Sequence, residues 1–330
     1  MGFDVNEISV NSKGGTELMR VGLEERLPAD LLENFQIFAS RVREKDDSKI
    51  RVLWMHDLPG DSESDHLKND GHEAFHLFVF VSNWQMQQFI NTYGIPWSKC
   101  VVIENAIDAI LPEQIEKPKD VIRLVYHTTP HRGLEIVVPV FEKLCETHDN
   151  IVLDVYSSFE IYGWTERDAP YQEIFDRCRN HPKINYHGTV SNEEVKLALG
   201  KSHIFAYPSI WPETSCISLI EAMSAQCICV HPNYGALFET AGGTTLMYQW
   251  HEDLNAHAGT FFNHLEHAIN SYNEAEVANV VRIQCSYANL RYNWNRVSAM
   301  WTDLLKSLLT KYPDKASRAK PGLMFHYKVN

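Results

Sequence analysis

One stretch decides the fold of this chain, residues 207–223, which read Tyr-Pro-Ser-Ile-Trp-Pro-Glu-Thr-Ser-Cys-Ile-Ser-Leu-Ile-Glu-Ala-Met. An apolar run at 203–207 predicts a strand, and the prolines that follow predict a loop carrying Glu213. Thr214 or Ser215 can cap a helix that begins after the loop. A strand, a loop and a helix in this order are the unit of a parallel α/β sheet.

Glu221 is a charge on an otherwise apolar face of that helix. Burying an unpaired carboxylate costs roughly several kcal/mol, so Glu221 should face water or a group that donates hydrogen bonds. The two hydroxyls of a ribose match its two oxygens. Glu213, just outside the helix, can accept from sugar hydroxyls while the first-turn amides face a phosphate. The pair therefore predicts a nucleotide-sugar site.

The surrounding residues carry a family resemblance. Besides Glu213, the motifs are His187-Gly188-Thr189-Val190, Tyr207-Pro208-Ser209, Glu221-Ala222-Met223 and Gly235-Ala236-Leu237-Phe238-Glu239. Together they resemble the donor half of family 4 glycosyltransferases, which have a Glu-x7-Glu motif and the GT-B fold. The resemblance implies an α/β protein in which two facing, doubly wound, Rossmann-like domains have a cleft between them.

The resemblance also implies which residues form the site. It assigns catalytic roles to Glu213, His56 and Arg132. It assigns donor binding to Gly14, Gly15, His127, Arg132, Glu213, Thr214, Ser215, Cys216, Ile217 and Glu221. In this assignment Glu221 binds ribose, Arg132 binds phosphate and Glu213 binds sugar hydroxyls.

Two loops are candidates for holding the phosphates. Gly14-Gly15 follows a short predicted strand (7–10) and opens a helix, as anion-binding glycine loops do. The loop 126–134 resembles the family's Gly-Arg-x4-Lys-Gly element, in which Arg132 stands for the usual Lys and keeps a cation. His127 stands for the usual Arg, so it is a weaker and pH-sensitive cation there.

His56 follows the strand predicted at 51–54, at a carboxyl end where the ligand cleft of such a sheet lies. Relatives often have a His close to the anomeric carbon at this place. Asp57 could orient the imidazole or raise its pKa. A structural hydrogen-bonding role is the alternative interpretation.

Composition limits the possible functions. The 330 residues suggest two domains, and 44% hydrophobic with 22% charged residues indicates a soluble globular protein. A net charge of −13 argues against nucleic-acid binding and weakens a membrane-surface interpretation. No apolar run is long enough for a membrane span, and no signal region is evident at the N-terminus, so we expect a cytoplasmic protein. The 7 Cys include no Cys-x-x-Cys and fit reduced, buried thiols.

Strand patterns divide the chain into two α/β series. The first has strands at 7–10, 35–39, 51–54, 77–81 and 101–103; the second has strands at 122–126, 151–156, 184–187, 203–207, 227–231 and 244–247. The polar segment 112–120 is the predicted linker. We therefore expect an acceptor-side domain at 1–118, a donor-binding domain at 119–295, and a helix and tail at 296–330 that return to the first domain.

The stretch 274–309 is helical by pattern. Its large apolar residues recur at helical spacing and are assigned to packing: Tyr287, Leu290, Trp294, Val297, Trp301 and Leu304. The tail 311–330 is basic and weakly patterned, and the sequence predicts no function for it.

A zinc-protease motif competes with this interpretation. His72-Glu73-Ala74-Phe75-His76 has the His-Glu-x-x-His spacing, but a strand-like run follows at once and cuts the required helix short. No Asp-x-Asp occurs, which fits a nucleotide-sugar site that uses no metal and no further cofactor. A Rossmann oxidoreductase is disfavoured because no Gly-x-Gly-x-x-Gly follows a strand.

The sequence thus predicts a glycosyltransferase of glycan biosynthesis, and the family resemblance implies that it retains anomeric configuration. It moves a sugar from a nucleotide-sugar donor, UDP- or GDP-linked, to a hydroxyl on a glycan, a small molecule or a lipid-linked sugar. A catalytically silent sugar-nucleotide binding module and a zinc hydrolase using His72 and His76 are the alternatives. Base, sugar, acceptor, linkage and oligomeric state stay open.

Overall fold

A computed structural model describes residues 14–322, and the strand predicted at 7–10 lies outside them. The described chain forms two compact units. Residues 14–106 pack with residues 294–322, and residues 107–293 form the second unit. The predicted linker at 112–120 therefore belongs to the packing of the second unit.

The first unit is a four-stranded parallel sheet with helices, in the strand order β1-β2-β3-β4. Its elements are α1 (Gly15–Glu24), α2 (Ala29–Leu32), β1 (Phe35–Ala39), β2 (Ile50–Met55), β3 (Leu77–Phe80), α3 (Asn83–Tyr93), β4 (Cys100–Val102), α11 (Trp294–Lys311) and α12 (Lys315–Arg318). Every residue of β2 and β3 is buried, as expected for central strands covered on both faces. Arg318 ties α12 to this unit by donating from Nη2 to Asn34 Oδ1 at 3.1 Å.

The second unit is a six-stranded parallel sheet in the order β10-β9-β8-β5-β6-β7. Its elements are β5 (Ile122–His127), α4 (Leu134–Leu144), β6 (Ile151–Tyr156), α5 (Gln172–Asn180), β7 (Ile184–Tyr186), α6 (Asn192–Lys201), β8 (Ile204–Ala206), α7 (Ile217–Ser224), β9 (Ile228–Pro232), α8 (Leu237–Ala241), β10 (Leu246–Tyr248), α9 (Leu254–Ser271) and α10 (Ala275–Arg291).

Counted along this unit, the strand order is 3-2-1-4-5-6, the order of a Rossmann sheet. The order reverses between β5 and β8. Crossover helices leave these two strands in opposite directions, so their carboxyl ends border a crevice in which ligands bind. The α/β prediction with two Rossmann-like parallel sheets is confirmed.

The helix predicted over 274–309 is interrupted. It ends at Arg291 and a new helix begins at Trp294. Between them the carbonyl of Tyr292 accepts from the Ile107 amide at 2.7 Å, and the Tyr292 hydroxyl donates to the Thr240 carbonyl at 2.9 Å. These contacts draw the backbone out of the helix, a tertiary effect that helical periodicity does not report.

The packing assigned to the stripe on this stretch is wrong at Leu290, whose side chain is 73% exposed. It is right for Trp294, Val297 and Trp301, which are buried. Trp301 packs edge-on against Trp54 of β2, with ring centroids 5.0 Å apart. None of the helices within residues 14–322 combines the length and the apolar character that crossing a bilayer requires.

Gly22 tests the packing of α1 against α11. A Cβ added at Gly22 lies 2.3 Å from Cζ2 of Trp294, which is buried. We expect Gly22→Ala to destabilise the protein by about 1–3 kcal/mol, as overpacking does. The free energy of unfolding in urea is the measurement.

Gly259 supplies the matched control. It lies within α9, and a Cβ there meets nothing within 4 Å. Gly259→Ala should raise the free energy of unfolding by about 0.5–1 kcal/mol, because alanine favours the helix and restricts the unfolded chain. Equal effects of the two substitutions contradict the packing described for Gly22.

Candidate functional site

The candidate site lies where the sheet of the second unit reverses its strand order. The loop after β5 carries Arg132 and the loop after β8 carries Glu213, and β5 and β8 are neighbours in the sheet. Parallel strands present their carboxyl ends at one edge, so the two loops emerge side by side. The structure places Arg132 and Glu213 in direct contact as an ion pair.

Gly133 sets the distance between these two loops. Its φ is +127°, and a Cβ there falls 2.4 Å from the carbonyl oxygen of Pro208. Only a residue without a side chain allows this approach. The preceding turn, Pro130–Arg132, is held by the Tyr126 hydroxyl, which donates to the Thr129 carbonyl at 2.9 Å. Backbone packing therefore places Arg132 beside the loop after β8.

A third loop, after β9, holds Glu213 from its other side. The Ala236 amide donates to the Glu213 carbonyl at 2.7 Å. Gly235 has φ +63°, and a Cβ there lies 2.5 Å from the backbone nitrogen and 2.6 Å from the carbonyl oxygen of Glu213. The Thr240 hydroxyl donates to the Ser215 carbonyl at 2.5 Å. The Gly-x-x-x-Glu element thus fixes the backbone of the Glu213 loop.

Glu213 is 5% exposed, and its side chain accepts hydrogen bonds from two donors. The Arg132 guanidinium and the Tyr207 hydroxyl both donate to Oε1. Burial lowers the pKa of Arg132, but the Glu213 carboxylate together with Tyr207 and Tyr162 raises it, and the pKa lies well above its usual range. The guanidinium also lies 5.9 Å from the ring centroid of Trp211. Arg132 is therefore charged and oriented.

Cys216, not Thr214 or Ser215, precedes the first residue of α7. The capping prediction is wrong, because Cys216 is left-handed at φ 68° and no side chain caps the helix. The helix begins after Cys216 rather than after Thr214 or Ser215. The Ser215 carbonyl accepts a hydrogen bond from the Thr240 hydroxyl. The first turn, which begins at Ile217, keeps amides uncapped by any side chain, as anion-binding helix N-termini do.

Glu221 lies on α7 and is 5% exposed. Asn192 Nδ2 donates to its Oε1 at 3.1 Å. Burial raises the pKa of Glu221 above its ordinary 4.5, while Asn192 and the Lys196 charge lower it and Asp108 raises it. The carboxylate is thus buried, and within residues 14–322 one side chain donates to one of its oxygens, which leaves it suited to a ligand that donates hydrogen bonds.

His127 ends β5 and is 6% exposed. Burial lowers its pKa to about 4, so the imidazole is neutral at physiological pH. Its ring packs against Phe205 with centroids 5.1 Å apart, and its carbonyl accepts from the Ser218 hydroxyl at 3.0 Å. In this state His127 offers no positive charge to a phosphate. Desolvation, which sequence cannot report, removes the charge.

The first unit carries the remaining predicted residues. Gly14 precedes α1 in an extended conformation, Gly15 begins the helix, and no side chain caps it. His56 follows β2, donates its amide to Ser40 Oγ at 2.8 Å and packs on Trp54 with ring centroids 4.5 Å apart. Burial lowers the pKa of His56 to about 3. The idea that Asp57 raises this pKa is therefore wrong.

Only His72, Glu73 and Ala74 of the zinc-protease motif lie in a short 3-10 turn, Gly71–Ala74. His76 follows that turn, so the two histidines do not share a helix face. His76 Nδ1 accepts from the Arg51 amide at 2.9 Å. Within residues 14–322 the structure contains no cluster of three or more His, Cys, Asp or Glu able to hold a metal ion.

Sequence reasoning missed two partners of the carboxylates. Tyr207 was assigned to the strand, although a tyrosine at the end of a buried strand needs a partner for its hydroxyl. Asn192 had a clearer signal. Ser191 and Glu194 form a capping box that predicts a helix N-terminus and places Asn192 in its first turn.

Comparison with known proteins agrees with this geometry. Residues 108–243 match the family model described as glycosyl transferases group 1. No curated protein matches the sequence.

Solved structures resemble the fold at low identity. A glycosyltransferase from Rickettsia africae ESF-5 is 16% identical with a TM-score of 0.67, over 92% of this chain and 84% of that one. The pneumococcal O-GlcNAc transferase GtfA, in complex with UDP and GlcNAc, is 12% identical with a TM-score of 0.65, over 83% and 56%. Anabaena Alr3699/HepE, in complex with UDP-glucose, is 15% identical with a TM-score of 0.60, over 79% and 72%. The family model covers less than half of the chain, and at these identities the solved structures show a similarity of fold.

Gly235 offers a test of the loop packing. Alanine there meets both left-handed strain and the Glu213 backbone, whereas alanine at Gly243, φ +72°, meets nothing within 4 Å. Strain alone should cost about 1–2 kcal/mol in Gly243→Ala. Gly235→Ala should cost a further ~1–3 kcal/mol through overpacking. Urea unfolding of both variants measures the difference, and equal costs contradict the contact.

Proposed function

We propose that this protein is a family 4 glycosyltransferase that retains anomeric configuration. It moves a sugar from a nucleotide-sugar donor to a hydroxyl acceptor. The observation that carries the proposal is the pair of buried carboxylates, Glu213 and Glu221, on the loop and helix that follow β8. A Rossmann sheet binds ligands at this edge, and neutral polyols that donate hydrogen bonds suit such carboxylates.

Each part of a nucleotide-sugar has a partner in the second unit. Ribose hydroxyls donate to Glu221, whose burial favours a ligand with paired donors. The diphosphate, with roughly two negative charges, meets the uncapped first turn of α7 and Arg132. The sugar hydroxyls donate to Glu213, beside Thr214 to Ile217. His127 contributes a neutral ring and no charge.

Catalysis in this proposal depends on positioning and on charge stabilisation of the leaving phosphate. Arg132 and helix amides offset charge as the glycosidic bond breaks. The leaving phosphate takes the acceptor proton on the same face, so no protein nucleophile is needed. We assign acceptor recognition to the first unit, in which Gly14 and Gly15 are assigned to donor binding and His56 to catalysis. A metal ion and a further cofactor are not part of the proposal.

UDP-sugars are the favoured donors. Two of the structurally similar proteins described above were solved with UDP or UDP-glucose, which supports a uridine nucleotide for this chain, with GDP-sugars second. The proposed acceptor is a glycan, a small molecule or a lipid-linked sugar, and the proposed location is the cytoplasm.

Thermal unfolding with UDP-, GDP-, ADP- and CMP-sugars tests the donor. A donor at about one hundred times its Kd stabilises the protein by roughly 2.7 kcal/mol. We expect the shift with a UDP- or GDP-sugar, release of nucleotide on incubation, and loss of release in Glu213→Ala. Binding of no member of the panel, or unchanged release in Glu213→Ala, contradicts the proposal.

A silent sugar-nucleotide binding module is a second candidate. The observation that favours it is the neutral His127, which stands where family 4 enzymes usually have a second cation. A binder shifts the unfolding temperature with the same donor but releases no nucleotide and transfers no sugar to any acceptor.

Glu221→Gln separates binding from stability. Glutamine keeps an oxygen for Asn192 but carries no buried charge, so the free energy of unfolding at pH 7 should be equal or higher. Donor affinity should fall roughly tenfold or more, since hydrogen bonds to charged groups are worth about 1.5–3 kcal/mol. Calorimetric titration and urea unfolding measure the two effects.

The difference in folding stability between Glu221→Gln and the wild type depends on pH in a defined direction. The pKa of Glu221 is raised on folding, so the wild type loses stability as pH rises from 4.5 through the raised folded value. The advantage of Glu221→Gln should therefore vanish below pH 4.5 and be complete above the folded pKa. Glu193→Gln, an exposed change of the same charge, is the control and should alter neither property.

A further inference from the structure

Two donors share one oxygen of Glu213. The Tyr207 hydroxyl and the Arg132 guanidinium both donate to Oε1. Tyr207 follows β8 directly, and its side chain is fully buried. Arg132 comes from another loop and is 18% exposed as a side chain. Tyr207 is thus fixed in the core, and Arg132 lies at the solvent-accessible side of the carboxylate.

The two donors differ in what else they can bind. A guanidinium forms strong two-pronged contacts with phosphate, so a bound diphosphate competes with Glu213 for Arg132. Arg132 Nε donates to Thr129 Oγ1 at 3.2 Å, which anchors the side chain while its terminal nitrogens exchange partners. Tyr207 has no such alternative, because its ring is packed between Phe205 and Tyr126 at centroid distances of 5.2 and 6.3 Å.

We propose that Tyr207 is a positioning residue that holds Glu213 through Oε1 while Arg132 passes from the carboxylate to the donor diphosphate. Glu213 then presents its other oxygen to the hydroxyls of the transferred sugar. Without the tyrosine hydroxyl, the exchange of Arg132 leaves the buried carboxylate free to rotate. This inference rests on the proposed function and names the group that orients its sugar-binding carboxylate.

The hydroxyl keeps its proton in this role. Burial, and after it the Glu213 charge, raise the pKa of Tyr207 well above its usual range. The O–H group therefore keeps its proton and donates at neutral pH, and Glu213 keeps one charge-assisted hydrogen bond throughout the exchange.

Tyr207→Phe tests the inference because it removes the hydroxyl and keeps the ring. We expect the affinity for the nucleotide-sugar to fall about ten- to a hundredfold, the range of a hydrogen bond to a charged group. The affinity for the free nucleotide should fall by a smaller factor, because its diphosphate draws Arg132 from Glu213 but it carries no sugar for Glu213 to bind. Calorimetric titration of UDP-glucose and UDP, or of the matching pair for the donor identified, gives the ratio of the two affinities.

Two controls separate positioning from general loss of structure. Tyr292→Phe removes a buried hydroxyl that donates to the Thr240 carbonyl at 2.9 Å, and it should leave the ratio unchanged. In a Glu213→Ala background, Tyr207→Phe should produce no further loss of nucleotide-sugar affinity, because the residue acts through that carboxylate.

The outcomes are distinct. If Tyr207→Phe lowers the affinities for nucleotide and nucleotide-sugar by the same factor, or lowers neither, the result would falsify the inference and leave the proposed function standing. A further loss in the Glu213→Ala background also overturns it. A wild-type protein that binds no nucleotide-sugar overturns the proposed function, and the inference with it.

Discussion

The approach of Gly133 to Pro208 is the constraint on which the site depends. The carboxyl ends of β5 and β8 lie at one edge of the sheet, but loops that only emerge there can still diverge. A backbone contact that has no room for a Cβ removes that freedom. It brings Arg132 to Glu213, and Gly235 holds the same loop from the side of β9. The ion pair is therefore a consequence of backbone packing.

Much of the fold follows from local sequence. Central parallel strands are buried on both faces and read as continuous apolar runs, so β2, β3, β5 and β6 were predictable within a residue or two. The ends of the helices were less predictable from the local sequence. Tyr292 leaves its helix because distant groups bind its carbonyl and hydroxyl, and Leu290 keeps the helical spacing of a core residue while facing solvent.

The candidate site shows the same division. Spacing and residue type point to Glu213 and Glu221 as candidates, since two carboxylates beyond a strand are visible in the chain itself, and the family resemblance adds Arg132 beside a glycine. The neutral state of His127 and the hydroxyl of Tyr207 on Glu213 were not visible. Both depend on burial created by segments far apart in sequence, and desolvation acts on every ionisable group regardless of its neighbours in the chain.

The contacts of Gly235 with the Glu213 backbone also limit how the loop after β8 can vary. Insertions or deletions in the loop after β8 break packing on two sides, so length variants of that loop are expected to misfold before they change selectivity. Variation is tolerated only in side chains that project from the fixed loop. Directed evolution of this scaffold is therefore best confined to point substitutions, with both glycines kept invariant in the library.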